Sequence, residues 1–250
     1  AQDTTLYGVD LYGEARLPAL LRRLCAIDGL RWIRLLYCYP EHITDELLEV
    51  MAQEPKVAKY MDIPLQHVNG EVLAAMNRPG DNASLRALLA HIREKVPGIT
   101  LRTTVMVGFP GEGEEAFEEL CTFIRDMRFE RLGCFAFSPE EGTVAATLPG
   151  QIEQREKERR RDIVMEEQAR IAFAYNEAQI GSTIPVLVES YDRYAECWFG
   201  RSEADAPDID SKVFFSCPRG AVRPGKLIQV KITEALDWDL MGEYVDESAQ

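Results

Sequence analysis

The sequence has no local metal knuckle. Its six cysteines, Cys25, Cys38, Cys121, Cys134, Cys197 and Cys217, are nowhere closer than 13 positions, so no C-x-x-C pair can seed a zinc or iron–sulfur site from neighbouring residues. Histidine is scarce: His42, His67 and His91 are the only three, with no paired histidines for a metal and no Ser–His–Asp order. No apolar run approaches the ~18–20 residues that a membrane span requires, and no charged-then-apolar leader opens the chain. A basic excess is missing too. The 42 acidic side chains outnumber 28 basic ones, for a formal net charge of −14. That excludes coating nucleic acid through bulk charge, although it leaves room for a local basic groove. A basic partner protein or a small molecule suits the field better. Scattered cysteines in an acidic, leaderless chain read as reduced, mostly buried thiols of a cytoplasmic protein. The chain begins at Ala1 and enters a polar motif at once, which reads as a fragment or a processed chain.

What is present is enough for a real core: 250 residues, 46% of them hydrophobic, allow one large or two modest domains. Up to about Gly150, short apolar runs alternate with longer amphipathic ones. Arg31–Tyr39, Val57–Leu65, Thr100–Phe109 and Arg131–Phe137 read as buried strands, and Ala1–Thr4 as the tail of an earlier one. Helices are expected at Leu17–Cys25, from an N-cap at Thr44, at Glu71–Met76, from Asn82 or Ser84, and at Glu114–Arg128. Near-continuous apolar strands alternating with helices imply a parallel sheet, doubly wound or curled into a barrel. Each strand stops in a polar cluster, such as Gln66-His67 or Gly108 to Gly113. Strand carboxyl ends are where barrel enzymes place their active sites, though loops are polar for other reasons as well.

From Gln151 to about Gly181 the composition changes to one long helix. Its dense mixed-charge start, Glu153–Asp162, precedes a docked face carrying Val164, Gln168, Ile171, Tyr175 and Ala178. Arg159, Arg160 and Arg161 are expected to pair with Glu153, Glu156, Glu158 and Asp162 on a solvated surface. Beyond Gly181 the signals are all β: Thr183–Ser190, Cys197–Gly200, Lys212–Phe215 and Lys226–Thr233, with a turn at Pro224-Gly225. These suit a small barrel of the oligonucleotide-binding type. Its charge does not suit that use, because residues 181–250 carry 13 acidic and 7 basic side chains, a net of −6. The expected domains are therefore 1–150, a connecting helix 151–181, and 182–250.

The segment Val107-Gly108-Phe109-Pro110-Gly111-Glu112-Gly113 sits at a strand-to-helix junction. It lets the backbone approach a ligand or simply makes a tight turn. It matches neither a Walker loop nor G-x-G-x-x-G. His67 is a candidate base or ribose ligand, or else a satisfied polar anchor. Asp205-Ala206-Pro207-Asp208-Ile209-Asp210 is a solvated loop or an acidic docking surface.

Taken together, the residues carry a resemblance. Ala1-Gln2-Asp3-Thr4-Thr5 with Tyr7-Gly8, Ile33 through Pro40, Asp62 through His67 and Met76-Asn77-Arg78 resemble the radical S-adenosylmethionine methylthiotransferases. The match continues in order through Arg102-Thr103-Thr104, Gly108 to Glu112 and Ser138 to Thr143. It covers essentially the whole chain. The resemblance implies an α/β partial TIM-type barrel (a radical SAM core missing its first strand) followed by a small all-β OB-like TRAM barrel. Gly200-Arg201-Ser202 through Asp210 looks like the branch acting on an aspartate of small-subunit ribosomal protein twelve.

The resemblance also implies the chemistry. One 4Fe–4S cluster cleaves S-adenosylmethionine to a 5′-deoxyadenosyl radical, and a second handles the inserted sulfur. By the same carry-over, Gln2, Asp3 and Thr4 meet the methionine end of the cofactor, and Gln66 and His67 face its ribose. Arg102, Thr103, Gly108, Phe137 and Ser138 complete the pocket. Asp205, Asp208, Asp210, Glu140 and Glu141 form the acidic surface expected to dock a basic ribosomal protein. The family's C-x-x-x-C-x-x-C triad is not in this sequence. The expectation is therefore that neither cluster has ligands in this chain, that it holds no metal and no catalytic residue of its own, and that it is inactive as it stands, as a cytoplasmic monomer off the membrane.

Rival readings remain open at this level. The sister branch methylthiolates adenosine in transfer RNA, but carries an Arg-Pro-Gly-Thr style segment where this chain has Glu140-Glu141-Gly142-Thr143. A non-catalytic module presenting the TRAM domain is a second alternative. A metal-free lyase or aldolase barrel lacks a placed lysine, since Lys56 and Lys59 precede or open a strand.

Overall fold

The computed structural model describes residues 2–246. Ala1 and Glu247, which entered the motif and charge readings above, lie outside the described residues. The chain divides into two compact units, 1–168 and 169–250.

In the first unit, a four-residue turn of helix α1 (Val9–Tyr12) and α2 (Leu17–Cys25) precede strand β1 (Ile33–Leu35). Helix α3 (Asp45–Gln53) leads to β2 (Val57–Gln66), then α4 (Gly70–Ala75) and α5 (Asn82–Lys95) lead to β3 (Thr100–Val107). Helix α6 (Glu114–Met127) is followed by β4 (Arg131–Ala136), the short α7 (Val144–Thr147) and the long α8 (Gln154–Glu177). All three strand pairings are parallel and the order is β1-β2-β3-β4. Sequential order with a helix between neighbours is the arrangement of an arc of an α/β barrel.

Local chemistry accounts for the helix starts. Thr44 Oγ1 accepts the Leu47 amide at 3.3 Å as an N-cap. Asp81, one residue before the first of the two expected starts, closes a capping box with Ser84 at α5. Arg128 ends α6 in the left-handed conformation at φ 49°. The core lies between sheet and helices, with Leu47, Leu48, Met51, Tyr60, Ile63, Leu89, Leu101, Leu120 and Phe123 each at most 2% exposed.

Two expectations change. The ladder of β1 spans three residues rather than nine, because Tyr37 turns left-handed at φ 59° and breaks the extended run. Gln2–Thr4 form no strand: Thr4 donates one backbone bond to Tyr37 O at 2.9 Å, and the chain then turns. A strand needs successive ladder bonds, and this segment has one.

In the second unit, β5 (Thr183–Asp192), β6 (Cys197–Ser202), β7 (Val213–Ser216), β8 (Leu227–Ala235) and β9 (Leu240–Val245) close into a barrel in the order β5-β6-β7-β9-β8. The sequence reading missed β9, whose Leu240-Met241-Gly242 run is short and glycine-interrupted. Val186, Val213, Phe215, Val230 and Ile232 fill the interior. Closure brings backbones together at two glycines. A Cβ on Gly242 would sit 2.5 Å from Lys231 O, and one on Gly200 would overlap the Leu187 carbonyl. Gly200→Ala and Gly242→Ala should each destabilise the barrel by about 1–3 kcal/mol, whereas Gly113→Ser, at a site with open space and an ordinary φ of −72°, should cost less. Urea denaturation followed by tryptophan fluorescence reports the difference, and equal midpoints for wild type and Gly242→Ala would refute close packing as the reason for glycine.

Candidate functional site

Alternation along β3 sorts its side chains. Leu101, Thr103, Val105 and Val107 are buried, while Arg102, Thr104 and Met106 are half-exposed on the other face. In register across the parallel ladder stand Asp62 on β2 and Gly133 and Phe135 on β4. Asp62 is 2% exposed, and its carboxylate accepts Arg102 Nη1 at 2.8 Å and the Tyr37 amide at 3.0 Å. Asp62 thus ties β2 to β3 and to the segment that follows β1, on the face that bears the cavity.

That cavity, about 590 Å³, lies at the carboxyl ends of β2, β3 and β4. Its walls are Ala75, Met76, Met106, Phe109, Phe137, Val144 and Ala145, with Gln66, Asn77 and Arg78 as the polar groups. The size and the apolar lining with a few convergent polar groups are those of a small-molecule site. Gln66 holds φ 68° and Asn77 φ 57°. A left-handed glutamine is strained, and such strain gathers at ligand sites. Phe109 and Phe137 meet edge to face with centroids 5.1 Å apart. Arg78 donates to Pro64 O at 3.2 Å and its guanidinium lies 4.8 Å from the centre of the Tyr39 ring.

Beneath the cavity wall lies a buried polar cluster. Glu112 Oε2 accepts the Gly108 amide and, at 3.1 Å, the Phe109 amide. Glu112 Oε1 is 3.5 Å from Arg160 Nη1 and 3.7 Å from His67 Nε2, and the Glu112 and His67 side chains are fully buried. Arg160 Nη1 also donates to Glu112 O at 2.8 Å. His67 Nδ1 accepts the Asn69 amide at 3.0 Å.

Of the residues expected at a cofactor, the cavity brings together Gln66 and Phe137. Arg102 lies on the same face. His67 and Gly108 are in the layer behind the wall, and Thr103 is buried, its hydroxyl donating to Ile63 O at 2.8 Å. Ser138 is exposed beyond the strand end. At the amino end, Gln2 is exposed, and Thr4 Oγ1 donates to Leu36 O at 2.6 Å. Asp3 accepts Thr5 N and Thr5 Oγ1 and lies 2.7 Å from His42 Nδ1. Burial opposes ionisation of Asp3, but these hydrogen bonds hold its carboxyl below the usual range.

Among the acidic candidates, Glu140, Glu141 and Asp208 are exposed. Asp205 is buried, its carboxylate accepting Ser202 N and Oγ, and Asp210 accepts the Ala206 amide at 2.8 Å. These two build their own loop and present little charge to a partner.

Sequence reasoning missed Asp62, Glu112, Lys157 and Arg160. Arg160 and Lys157 are 6% and 3% exposed, which corrects the expectation of a wholly solvated charge run. The signal was available: positions 157, 160, 164 and 168 extend the apolar face of Val164 and Gln168 back toward the helix start. The surface pairs do form, Arg159 to Glu156 at 2.7 Å and Arg161 to Asp162 at 2.7 Å.

Among the described residues, no three His, Cys, Asp or Glu side chains converge as a metal site. Cys38 and Cys134 are buried, and burial pushes each thiol up to about 12; the other four cysteines are half-buried. No helix among those residues is long and apolar enough to cross a membrane.

Comparison with known proteins places these features. The Radical SAM superfamily profile matches residues 2–124, and the TRAM domain profile matches residues 180–245. Proteins from Desulforamulus reducens and Desulfitobacterium hafniense, both named ribosomal protein uS12 methylthiotransferase RimO, are each 48% identical, over 97% and 98% of this chain. A protein of the same name from Heliobacterium modesticaldum is 46% identical over 100% of it. The chain spans about half the length of these curated relatives, 54–55%. Among solved structures, Escherichia coli coproporphyrinogen III oxidase (HemN), described as a Radical SAM enzyme, is similar at a TM-score of 0.48 and 20% identity, over 64% of this chain and 36% of that one.

The charge ladder on α8 carries a pH signature. Hydrogen bonds from Arg159 and Arg160 lower the Glu156 carboxyl from 4.5 to about 2. A group depressed on folding stabilises fully above its ordinary pKa and loses that contribution as pH falls through the folded value. The gap in thermal midpoint between wild type and Glu156→Gln should therefore be constant above about pH 5 and shrink from 4.5 toward 2. A gap independent of pH over that window would contradict the assignment.

Proposed function

The chain belongs to the radical S-adenosylmethionine methylthiotransferases, and from that premise we propose that its strand-end cavity receives S-adenosylmethionine in a protein that methylthiolates an aspartate of a small-subunit ribosomal protein. The observation that carries the reading is the cavity's position: it opens where β2, β3 and β4 end, walled by Gln66, Met106, Phe109 and Phe137, in a chain whose relatives at 48% identity are named ribosomal protein uS12 methylthiotransferases.

The residues fit the cofactor. Apolar walls accommodate a flat base between Met106, Phe109 and Phe137, and Gln66 supplies a polar group held by a strained backbone. When bound with an iron–sulfur cluster, S-adenosylmethionine supplies the radical that breaks an unactivated C–H bond. The described residues do not fit a cluster, because their buried thiols stay protonated and do not converge. Both clusters are then held by residues outside this chain. The chain's own part is to bind and orient: Asp62 and Arg102 brace β2 against β3, and the aromatic pair excludes water from the reacting side.

Charge favours a basic protein over a transfer RNA as substrate. Glu140 and Glu141 lie exposed on the loop leading to Val144 and Ala145 in the cavity rim. Asp208 adds an exposed carboxylate on the barrel unit. Acidic residues at both places attract a basic protein and repel a phosphate backbone. The protein acts in the compartment that holds ribosomes, the cytoplasm, as a single copy.

The test uses the full-length protein that carries this chain, anaerobically reconstituted with iron and sulfide and given S-adenosylmethionine, reductant and either the ribosomal protein or transfer RNA. Mass spectrometry should find the methylthio group on an aspartate of the ribosomal protein. Modification of an adenosine in transfer RNA, or of neither substrate, would overturn the reading. Glu140→Lys with Glu141→Lys should raise KM for the ribosomal protein about tenfold at low salt and leave S-adenosylmethionine cleavage in its absence unchanged.

A further inference from the structure

We propose that Lys157 and Arg160, on the helix that follows the barrel strands, are positioning residues that hold the wall of the cavity in its binding shape. The inference rests on the reading of the cavity given above, and it concerns residues outside the strand ends.

The wall segment Gly108–Glu112 has no ladder of its own once β3 ends at Val107. Its amides at Gly108 and Phe109 point instead to one oxygen of Glu112. That arrangement puts an ionisable carboxylate in a site with no exposure to water. A carboxylate persists there only if a cation and donors compensate it. The Gly108 and Phe109 amides are the donors, and Arg160 supplies the cation, its Nη1 3.5 Å from Oε1 and bonded at 2.8 Å to the Glu112 carbonyl. Arg160 is itself held by Glu156 at 2.8 Å and Glu114 at 3.2 Å, which aligns the guanidinium with the wall.

His67 completes the cluster from β2. Since its Nδ1 accepts the Asn69 amide, the neutral ring carries its hydrogen on Nε2, which faces Glu112 Oε1 across 3.7 Å. Neither atom has a hydrogen-bond partner among the described residues.

Lys157 acts on the same segment by shape. Gly108 has φ 75°, and the space that a Cβ would take is filled by the Lys157 stem, with its Cβ 2.9 Å and its Cδ 3.1 Å from that point. The glycine therefore admits a helix side chain. Beyond Gly108, the Lys157 ammonium lies 4.9 Å from the centre of the Phe137 ring, a cation–π distance. One lysine thus sets the places of Gly108 and Phe137, and Phe137 with Phe109 forms the cavity's aromatic corner. Nothing in this set touches the cavity through Lys157 or Arg160 directly: their effect passes through Glu112, Gly108 and Phe137.

Two measurements on the variants Arg160→Met, Arg160→Lys, Lys157→Ala and Lys157→Met test this. In the chain as it stands, hydrogen exchange by NMR should show the Gly108 and Phe109 amides of Arg160→Met exchanging at least about tenfold faster than wild type, with β5–β9 amides unchanged. Arg160→Lys, which keeps the charge, should recover part of that protection. In the full-length reconstituted protein, Lys157→Ala should weaken S-adenosylmethionine binding about tenfold by equilibrium dialysis, whereas Lys157→Met, which keeps the stem, should stay within about threefold. A merely structural role predicts something else: exchange accelerated uniformly across residues 1–168 in step with the thermal midpoint, and affinity per folded molecule unchanged. Either of those results overturns the proposal. If Arg160→Met or Lys157→Ala does not fold, Arg160→Lys and Lys157→Met carry the same comparison. Absence of binding in the wild-type full-length protein would instead remove the reading of the cavity, and the exchange result would still judge the role of α8.

Discussion

A carboxylate without water dictates much of the first unit. Glu112 is fully buried, and every group around it answers to that fact: two amides at the end of β3, a guanidinium from α8 and an imidazole from the end of β2. In water each of these contacts would be worth little. In a buried site an unpaired carboxylate is costly and a paired one is directional. The segments that follow β2 and β3, both of which reach the cavity wall, therefore meet α8 at a single side chain. Phe137 is reached by a separate route, through the Lys157 stem packed on Gly108 and its ammonium against the Phe137 ring.

The same economy of means shows on the sheet face above it. Asp62 is buried and holds Arg102 and the Tyr37 amide, so the polar interior of the arc is braced by one ion pair. Parallel strands leave their carboxyl ends free of ladder bonds, and the polar groups that gather there become available to a ligand. The β barrel of the second unit works differently. It closes by glycines at Gly200 and Gly242 that let backbones meet, and it carries acid on its surface where nucleic-acid barrels carry base.

How much of this was legible in the sequence depends on the kind of signal. Strands β2, β3 and β4 announced themselves as apolar runs, and Thr44 as a cap, because burial and capping act on neighbouring residues. Strand β9 did not, since Gly242 interrupts its apolar pattern for a reason that lies on β8. The motif segments gather at the carboxyl ends of the strands, where Gln66 and Phe137 line the cavity. What stayed hidden were the pairings across chain distance. Asp62 with Arg102 and Glu112 with Arg160 join residues 40 and 48 positions apart, and no periodicity records a partner that far away. Arg160 and Lys157 were read as solvated because they sit in a dense run of charge, although their spacing from Val164 and Gln168 places them on the buried face. Asp205 was read as a docking charge for the converse reason: an acidic cluster looks exposed until its hydrogen bonds to Ser202 are known.

The central claim is that the cavity bounded by Gln66, Phe109 and Phe137 is where S-adenosylmethionine binds. The most direct measurement is hydrogen exchange of the full-length reconstituted protein with and without S-adenosylmethionine. The account predicts added protection within residues 62–69, 105–112 and 134–138, and none in residues 183–245. Protection confined to residues 183–245, or no change at the three strand ends despite saturating cofactor, would contradict it.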